Sequence, residues 1–299
     1  MADRRALGNV LVATDFSAAA ARAVERAAQL PIGPGSALTV LHVLPPGCRP
    51  EERADAERQL GNAMSAVVAA AARAGRRELD AFPRLVEGTP FVEIVRTARH
   101  GRNDLVVVGR HGRRRFRDLL IGSTAERVIR KGDTSILVVA SAPRGPYARP
   151  LVAVDCSDAA GGALELAWRL AEPVDQALEV VLAFQPPAPE GAILRARFSA
   201  GEALQLRQDA QRAAEAAVDA FLAGREPVTP AAAVVREGDA RCVILDLAAE
   251  RDSDLLALGT HGRSGLAHML LGSVAEAVIR AASCDVLVAR PSGMPFKLP

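Results

Sequence analysis

Aromatic residues are scarce: they make up 3% of 299 positions, with one Trp and one Tyr. A core with so few rings must be built from Val, Leu, Ala and Ile. Cysteine is scarce as well. Cys48, Cys156, Cys242 and Cys284 form no C-x-x-C pair and have no histidine at metal-ligand spacing. The expected state is therefore four free thiols in a reducing cytoplasm, with no disulfide framework and no metal cluster. No apolar run is long enough to span a bilayer, and MADRRALGNV has no apolar stretch after its arginines. A membrane span and a secretory leader are both set aside. An excess of one charge is missing too. Lys+Arg number 37 against 35 Asp+Glu, a net charge of +2, so the overall field offers no argument for nucleic acid. Finally, no G-x-x-x-x-G-K-[ST] run braces the phosphates of a nucleotide and no Walker-type acid stands out for Mg2+, so fast phosphoryl transfer is not expected.

What is present is a globular composition, 49% hydrophobic and 24% charged, in a chain long enough for about two domains. Two stretches, GRHGRRRFRDLLIGST (Gly109 to Thr124) and GTHGRSGLAHMLLGSV (Gly259 to Val274), carry the same pattern: G-x-x-G, nine residues, G-S. The repeat is wider than the glycines. Residues 87–139 align without a gap on 237–289, with about 20 of about 50 positions identical. Glu87-Gly88, Asp104-Leu105, Ala125-Glu126 and Val128-Ile129-Arg130 all return 150 positions later. Upstream, NVLVATDFS (Asn9 to Ser17) answers PLVAVDCSD (Pro150 to Asp158) at an offset of 140. The second copy thus holds about ten extra residues, expected between Pro186 and Ala203. A period this long marks two duplicated domains.

Each copy alternates strand and helix signals. In the first, Val10–Thr14, Ala37–Val43, Arg84–Glu87, Leu105–Val108 and Ile136–Val139 read as strands. Helices are expected from Ser17, as N-cap, to about Leu30, then over Glu51–Arg76, Phe91–Arg99 and Ser123–Lys131. Leu105–Val108 lacks polar alternation, as a strand buried on both faces does. The order implies an α/β fold: two tandem open-twisted five-stranded parallel-sheet domains of Rossmann-like type, over 1–143 and 149–291. SAPRGPYARP (Ser141 to Pro150) reads as a Pro/Gly-rich linker and SGMPFKLP as a loose tail.

In such sheets ligands sit beyond the carboxyl ends of the strands, where the strand order reverses. The repeated motif runs from a strand end, Gly109 or Gly259, through a loop to a helix start at Gly122-Ser123 or Gly272-Ser273. A helix start offers unpaired N–H groups and a partial positive charge, and glycine lets the backbone approach an anion closely. The residues alone leave two readings open: a duplicated phosphate cradle, or ordinary strand-to-helix turns in which Ser123 and Ser273 only cap a helix.

The glycine pattern resembles the ATP-binding signature of the universal stress proteins. GTHGRSGLAHMLLGSVAEAVIRAASCDVLV is similar to that family's usual sequence, and VATDFS, VAVDCS and LTVLHVLPP resemble its first two strands. The likeness covers nearly the whole chain, as a tandem two-domain member with the adenine nucleotide α-hydrolase-like fold. It implies ATP as ligand, with Mg2+. In the first copy Asp15 would lie near the adenosine and Val43 would offer backbone contacts to adenine. Gly109 and Gly112 would touch ribose and phosphates, and Gly122, Ser123 and Thr124 would hold the phosphate tail. In the second copy the matches are Asp155, Gly259, Gly262, Gly272, Ser273 and Val274, with Ala183 standing where Val43 does. Asp15 and Asp155 have the alternative of capping the turn that follows.

The copies differ in the loop. Arg113, Arg114, Arg115 and Arg117 face a single Arg263 in the second copy. A solvated basic loop, screening of the triphosphate by Arg113 and its neighbours, and a docking surface for an acidic partner remain alternatives. His111 and His261 lack an adjacent carboxylate and are read as rim residues rather than general bases. The expected function is that of an ATP-binding stress-response or regulatory protein that changes its contacts with an unidentified protein partner. A slow ATPase and a nucleotide-free interaction scaffold are the rivals. No nucleic-acid or membrane partner is expected. The apolar last strands of the two copies are expected to pair within the chain as a pseudo-dimer, with a homodimer of whole chains also open.

Overall fold

A computed structural model describes residues 6–110, 122–171, 178–186, 200–225, 228, 230–260 and 271–290. Gly112, Arg113, Gly262, both motif histidines, the arginine-rich loop, most of the extra segment of the second copy and residues 291–299 lie outside the described residues.

The first half runs β1 (Asn9–Ala13), α1 (Ala18–Gln29), β2 (Ala37–Leu44), α2 (Pro50–Arg73), β3 (Asp80–Glu87), α3 (Pro90–His100), β4 (Asn103–Gly109), α4 (Ser123–Lys131), β5 (Ser135–Val139). The second runs β6 (Pro150–Ala153), α5 (Asp158–Leu170), β7 (Glu179–Phe184), α6 (Ala200–Ala223), β8 (Ala232–Glu237), α7 (Ala240–Glu250), β9 (Leu255–Gly259), α8 (Ser273–Ala281), β10 (Asp285–Ala289). Ser17 does cap α1: its side chain accepts from the Ala20 N–H, and Ser157 does the same for Ala160 in α5. β3 begins earlier than the sequence suggests, and contains Pro83. The missing N–H costs nothing there because β3 is an edge strand that pairs only with β2.

The strands form one ten-stranded sheet in the order β3-β2-β1-β4-β5-β10-β9-β6-β7-β8. All pairings are parallel except that of β5 with β10. That pair is centred on Leu137 opposite Leu287, residues one repeat apart, with Val138 opposite Val286 and Ile136 opposite Val288. A pseudo-two-fold axis therefore passes through the Leu137–Leu287 pair, and the halves join as the last strands were expected to. Pairing removes two apolar edges that would otherwise invite aggregation. Because β5 and β10 are antiparallel, the carboxyl ends of the two parallel sets point to opposite edges of the sheet.

The core lies on both faces. On one, α1, α2, α5 and α6 cover Val10, Val12, Leu105, Val107, Leu255 and their neighbours. On the other, α3, α4, α7 and α8 cover Leu11, Val106, Val108, Leu256 and Leu258. β4 and β9 are buried on both sides, which explains their unbroken apolar sequence. The repeated acids outside the glycine motif are structural: Asp104 accepts from the Gly8 N–H, and Asp254 from those of Ala148 and Arg149. Each pins the segment entering the first strand of its half. Gly88 and Gly238 have φ of 152° and 148°, a turn conformation that side chains resist.

Candidate functional site

In the first half the strand order reverses between β1 and β4, and in the second between β6 and β9. The crevice at their carboxyl ends is where a ligand would be expected. The structure brings Asp15, Gly109, Gly122, Ser123 and Thr124 to that end of the first half, and Asp155, Gly259, Gly272, Ser273 and Val274 to that end of the second. Val43 lies near the end of β2, opposite Val86, and Ala183 lies opposite Arg236, the repeat-equivalent register.

The turn after β1 is built tightly. Thr14 N–H donates to the Leu41 carbonyl at 2.8 Å, closing the strand end. The Asp15 carboxylate then accepts from the Ser17 N–H at 3.0 Å. In the second half Asp155 Oδ1 accepts from the Ser157 N–H at 3.1 Å and its hydroxyl at 2.5 Å. Both acids are thus tied into their own turns, as the capping alternative holds. Between each acid and its serine stands a non-glycine residue in the left-handed region: Phe16 at φ 60° and Cys156 at φ 62°. That conformation costs about 1–2 kcal/mol and is kept in both halves, as it also is in the pair Arg102 and Asp252 beyond the ends of α3 and α7. Phe16 and Cys156 are not legible as site residues in the sequence, since no residue-type signal marks a left-handed phenylalanine. His42 belongs with them: its Nδ1 lies 2.8 Å from the Thr14 carbonyl and its ring lies 4.2 Å from that of Phe16. Phe16 and His42 together form an aromatic flank at the end of β1 and β2. In the second half Leu182 takes the place of His42, and Phe184, two residues on, is the aromatic residue of β7.

The first motif glycines have a packing reason. A Cβ on Gly109 would stand 2.6 Å from the Ala19 carbonyl oxygen, and one on Gly259 would stand 2.8 Å from the Ala159 Cβ. The first turn of α1 or α5 rests directly against the end of β4 or β9, so no side chain fits. This close approach holds whether or not the same glycine meets a ligand.

The loops are closed at their base. Arg110 N–H donates to the Val139 carbonyl at 3.0 Å, and Gly122 N–H to the Arg110 carbonyl at 2.8 Å. Thr260 and Gly272 repeat the arrangement, at 3.0 and 2.9 Å. Gly122 and Gly272 are the N-caps of α4 and α8, both extended and neither supplying a side-chain cap. The first helical bonds run from Glu126 to the Gly122 carbonyl and from Glu276 to the Gly272 carbonyl. The N–H groups of Ser123 and Thr124, and of Ser273 and Val274, therefore precede any helical acceptor. Ser123 and Ser273 are exposed. Ahead of each helix stands a positive dipole end with hydroxyl or N–H donors, a chemistry that suits an anion.

Arg110 is diverted from this chemistry. Its guanidinium crosses the pseudo-two-fold axis to donate to the Ile279 carbonyl at 2.7 Å, and burial lowers its pKa below the usual arginine value. Among the described residues no group of three or more His, Cys, Asp and Glu could hold a metal ion. None of their helices is long and apolar enough to cross a membrane. All four cysteines are free, Cys284 buried and Cys242 exposed.

The architecture is that of two fused, doubly wound α/β domains with a glycine-framed turn at each switch point. The chain matches the universal stress protein family over residues 7–140 and again over 146–290. A universal stress protein of Mycobacterium tuberculosis is 31% identical over 281 residues, covering 85% of this chain and 88% of its own. The chain belongs to the universal stress protein family, as a tandem two-domain member. Among solved structures, a universal stress protein from Archaeoglobus fulgidus covers 95% of this chain and 98% of its own at TM-score 0.63 and 20% identity. A Pseudomonas aeruginosa protein of unknown function covers 97% and 95% at TM-score 0.66 and 17% identity. At these identities the structures show the shared fold.

Proposed function

We propose that the crevice of each half binds an adenine nucleotide, ATP with Mg2+, and that the chain works as a nucleotide-dependent stress-response or regulatory protein. The observation that carries this reading is the repetition of one arrangement at both switch points. An acid-anchored, left-handed turn follows the first strand of each half, and a helix start without a side-chain cap follows the fourth, at the same end of the sheet. Ser123 and Thr124, or Ser273 and Val274, would meet the phosphate tail, with Gly109, Gly112 and Arg113, or Gly259 and Gly262, along the loop. Asp15 or Asp155 would stand by the adenosine and Val43 by the base. Calorimetric titration of the intact chain with MgATP tests it. Saturable binding is expected, and Gly122→Val and Gly272→Val should each remove one site. No saturable binding by the intact chain would overturn the reading.

A second reading is favoured by the packing role of Gly109 and Gly259. Because those glycines are required without any ligand, the motif would persist in a nucleotide-free interaction scaffold. Mass analysis of small molecules released from freshly purified protein separates the two. An adenine nucleotide in the extract favours binding, and an empty extract together with ATP-independent partner capture favours the scaffold. Phosphate release that disappears in the same two valine variants would instead identify a slow ATPase.

A further inference from the structure

The pseudo-two-fold axis relates two crevices at the junction of the halves, and their charges have diverged. In the first, the linker forms a plug. Tyr147, 1% exposed, donates its hydroxyl to Asp285 Oδ2 at 2.7 Å. Arg26 donates to the same carboxylate at 3.2 Å and to the Gly145 carbonyl at 2.6 Å. The Ala140 N–H donates to the other carboxylate oxygen at 2.9 Å. Further along the linker, Arg149 donates to Asp252 twice, to its carbonyl at 2.7 Å and to its carboxylate at 2.9 Å. The plug thus rests on acids that the second half supplies.

The second crevice holds a cavity of about 420 Å³, within the range of about 300–1,000 Å³ usual for small-molecule sites. Four arginines and three acids line it, a net charge of +1. The same positions of the first crevice, 150 residues on in the strands and 140 back in the helix, hold Asp252, Asp254, Asp285 and Glu25 against Arg22 and Arg26, a net charge of −2. Three exchanges set the new sign. Arg102 stands where Asp252 takes the linker's arginine, Ser135 where Asp285 supplies the buried carboxylate, and Arg290 where the twin has Ala140. Gly162 and Leu166, in place of Arg22 and Arg26, go the other way without restoring the balance. Gly162 also leaves space: a Cβ there would meet only the Arg290 carbonyl, at 3.9 Å.

Two of the four arginines are already neutralised: Arg99 pairs with Asp133 at 2.9 Å and Arg169 with Asp104 at 3.3 Å. Arg102, Arg290 and Glu165 have no ion pair among the described residues. Glu165 is exposed, where water screens its charge. Arg290 is partly buried and its guanidinium donates to the Ile129 carbonyl, a neutral acceptor. Burial lowers its pKa below the usual arginine value, with the Asp133 charge opposing. A cation drawn out of water without a counter-charge is costly, and an anion beside it lifts that cost. We propose that the second crevice binds a small oxyanion, the carboxylate or phosphate group of a metabolite-sized compound. Arg290 and Arg102 hold it, with the Thr134 and Ser135 side chains beside them, and it supplies the negative charge that Asp285 supplies in the twin. Guanidinium groups suit both chemistries, since their paired N–H groups match two oxygens at once. The site is separate from the glycine motifs: it lies against the starts of β4 and β5 and the last turns of α5, away from the Ser157 end of that helix.

Calorimetric titration of the full chain with inorganic phosphate, and separately with succinate, tests this. Saturable binding of at least one is expected, and the tighter of the two names the source of the oxyanion. Ser135→Asp puts the twin's carboxylate back and Arg102→Ala removes an exposed cation. Each should weaken binding at least about tenfold, as the loss of a hydrogen bond to a charged group does. Arg102→Ala keeps the test valid if the new aspartate disturbs folding. Arg58→Ala, on the exposed face of α2, should change nothing. No saturable binding of either probe overturns the proposal, and so does binding that survives both Ser135→Asp and Arg102→Ala. Binding that disappears in Gly272→Val would place the anion at the glycine motif and also overturn it.

Discussion

At the end of β1 and the end of β6 the two halves hang different side chains on one backbone. The acid, the left-handed residue, the serine cap, the close-packed glycine and the uncapped helix start are all shared. What differs is Phe16 against Cys156, His42 with Val43 against Leu182 with Ala183, and Arg110 against Thr260. The shared set holds the turn. Of the changed set, Arg110 reaches the opposite half, and Val43 and Ala183 are the positions where the proposed nucleotide's base would lie. At the junction the contrast is sharper: a buried Arg26–Asp285–Tyr147 group on one side faces Leu166 and Ser135 on the other. After duplication, then, positions fixed by backbone geometry stayed twinned, while positions fixed by a neighbour followed the neighbour.

The largest effect should come from breaking the polar side of the junction. Asp285→Ala would strand the buried Arg26 guanidinium and the Tyr147 hydroxyl and cost about 3–5 kcal/mol. Its repeat-equivalent, Ser135→Ala, should cost less than about 1 kcal/mol. Urea unfolding midpoints of the two variants measure the gap, and equal losses would show that the halves are not differentiated there.

Next come the paired glycines. Gly109→Ala would press a methyl group against a main-chain carbonyl, and Gly259→Ala against a side-chain methyl. Both should destabilise by about 1–3 kcal/mol, the first more, since its contacts with the helix turn, at 2.6 to 3.0 Å, are closer than the 2.8 to 3.1 Å of the second and neither turn can move aside as a long side chain would. Thermal unfolding reads the order. If either variant keeps its stability but loses nucleotide binding, the glycine serves the ligand rather than the packing.

These glycines also mark how far the sequence could be read. The repeat, the strand–helix order, the Ser17 cap and the span of α4 were legible because each rests on local pattern. The start of β3 was not, because Pro83 argues against a strand until one knows that β3 is at the sheet edge. Gly109 stood out, but the carbonyl of Ala19 that excludes a side chain is 90 residues away in sequence. The linker's proline and glycine residues gave a turn signal, while Tyr147 is fixed by an acid 138 residues on. In the candidate site, residue types pointed to an anion-binding turn, whereas the left-handed Phe16 and Cys156 were invisible because their conformation is imposed by the strand and the helix they join.

A smaller, pH-dependent effect separates the two sides of the junction. Burial, with the Asp285 charge second, holds the Tyr147 phenol well above its ordinary value of 10.0. The same two causes push the Cys284 thiol from 9.0 up to about 12. In the unfolded chain both groups lose their protons first, so the native state binds more protons at alkaline pH and stability falls as pH rises. The contribution is whole below about pH 9 and is lost as pH climbs through the folded-state values. Tyr147→Phe should cost about 1.5 kcal/mol at neutral pH, for a hydrogen bond to a charged acceptor, and should make the alkaline fall shallower. Unfolding midpoints between pH 8 and 11 give both numbers. An unchanged alkaline slope in Tyr147→Phe would mean that the phenol is not shielded as the structure has it.

The smallest expected difference lies where α4 and α8 meet across the axis. Arg130 bonds both Glu126 in its own helix, at 3.1 Å, and Glu276 in the other half, at 3.0 Å. Its twin Arg280 bonds Glu276 alone, at 2.8 Å, within its own helix. All four side chains are about one-third exposed, so solvent and salt screen the pairs, and each is worth well under about 1 kcal/mol. Arg280→Ala removes an i,i+4 pair of about 0.3–0.5 kcal/mol. Arg130→Ala removes a similar pair and, in addition, the link between halves. Its cost should be the larger by a few tenths, and a double-mutant cycle with Glu276→Gln should isolate that part. Raising the salt to about 1 M should shrink the difference, because screening then acts within about 3 Å. A cycle energy for Arg130 and Glu276 of zero at low salt would mean that the halves are held together by the β5–β10 pairing and the plugged crevice, with no help from the helix pair above them.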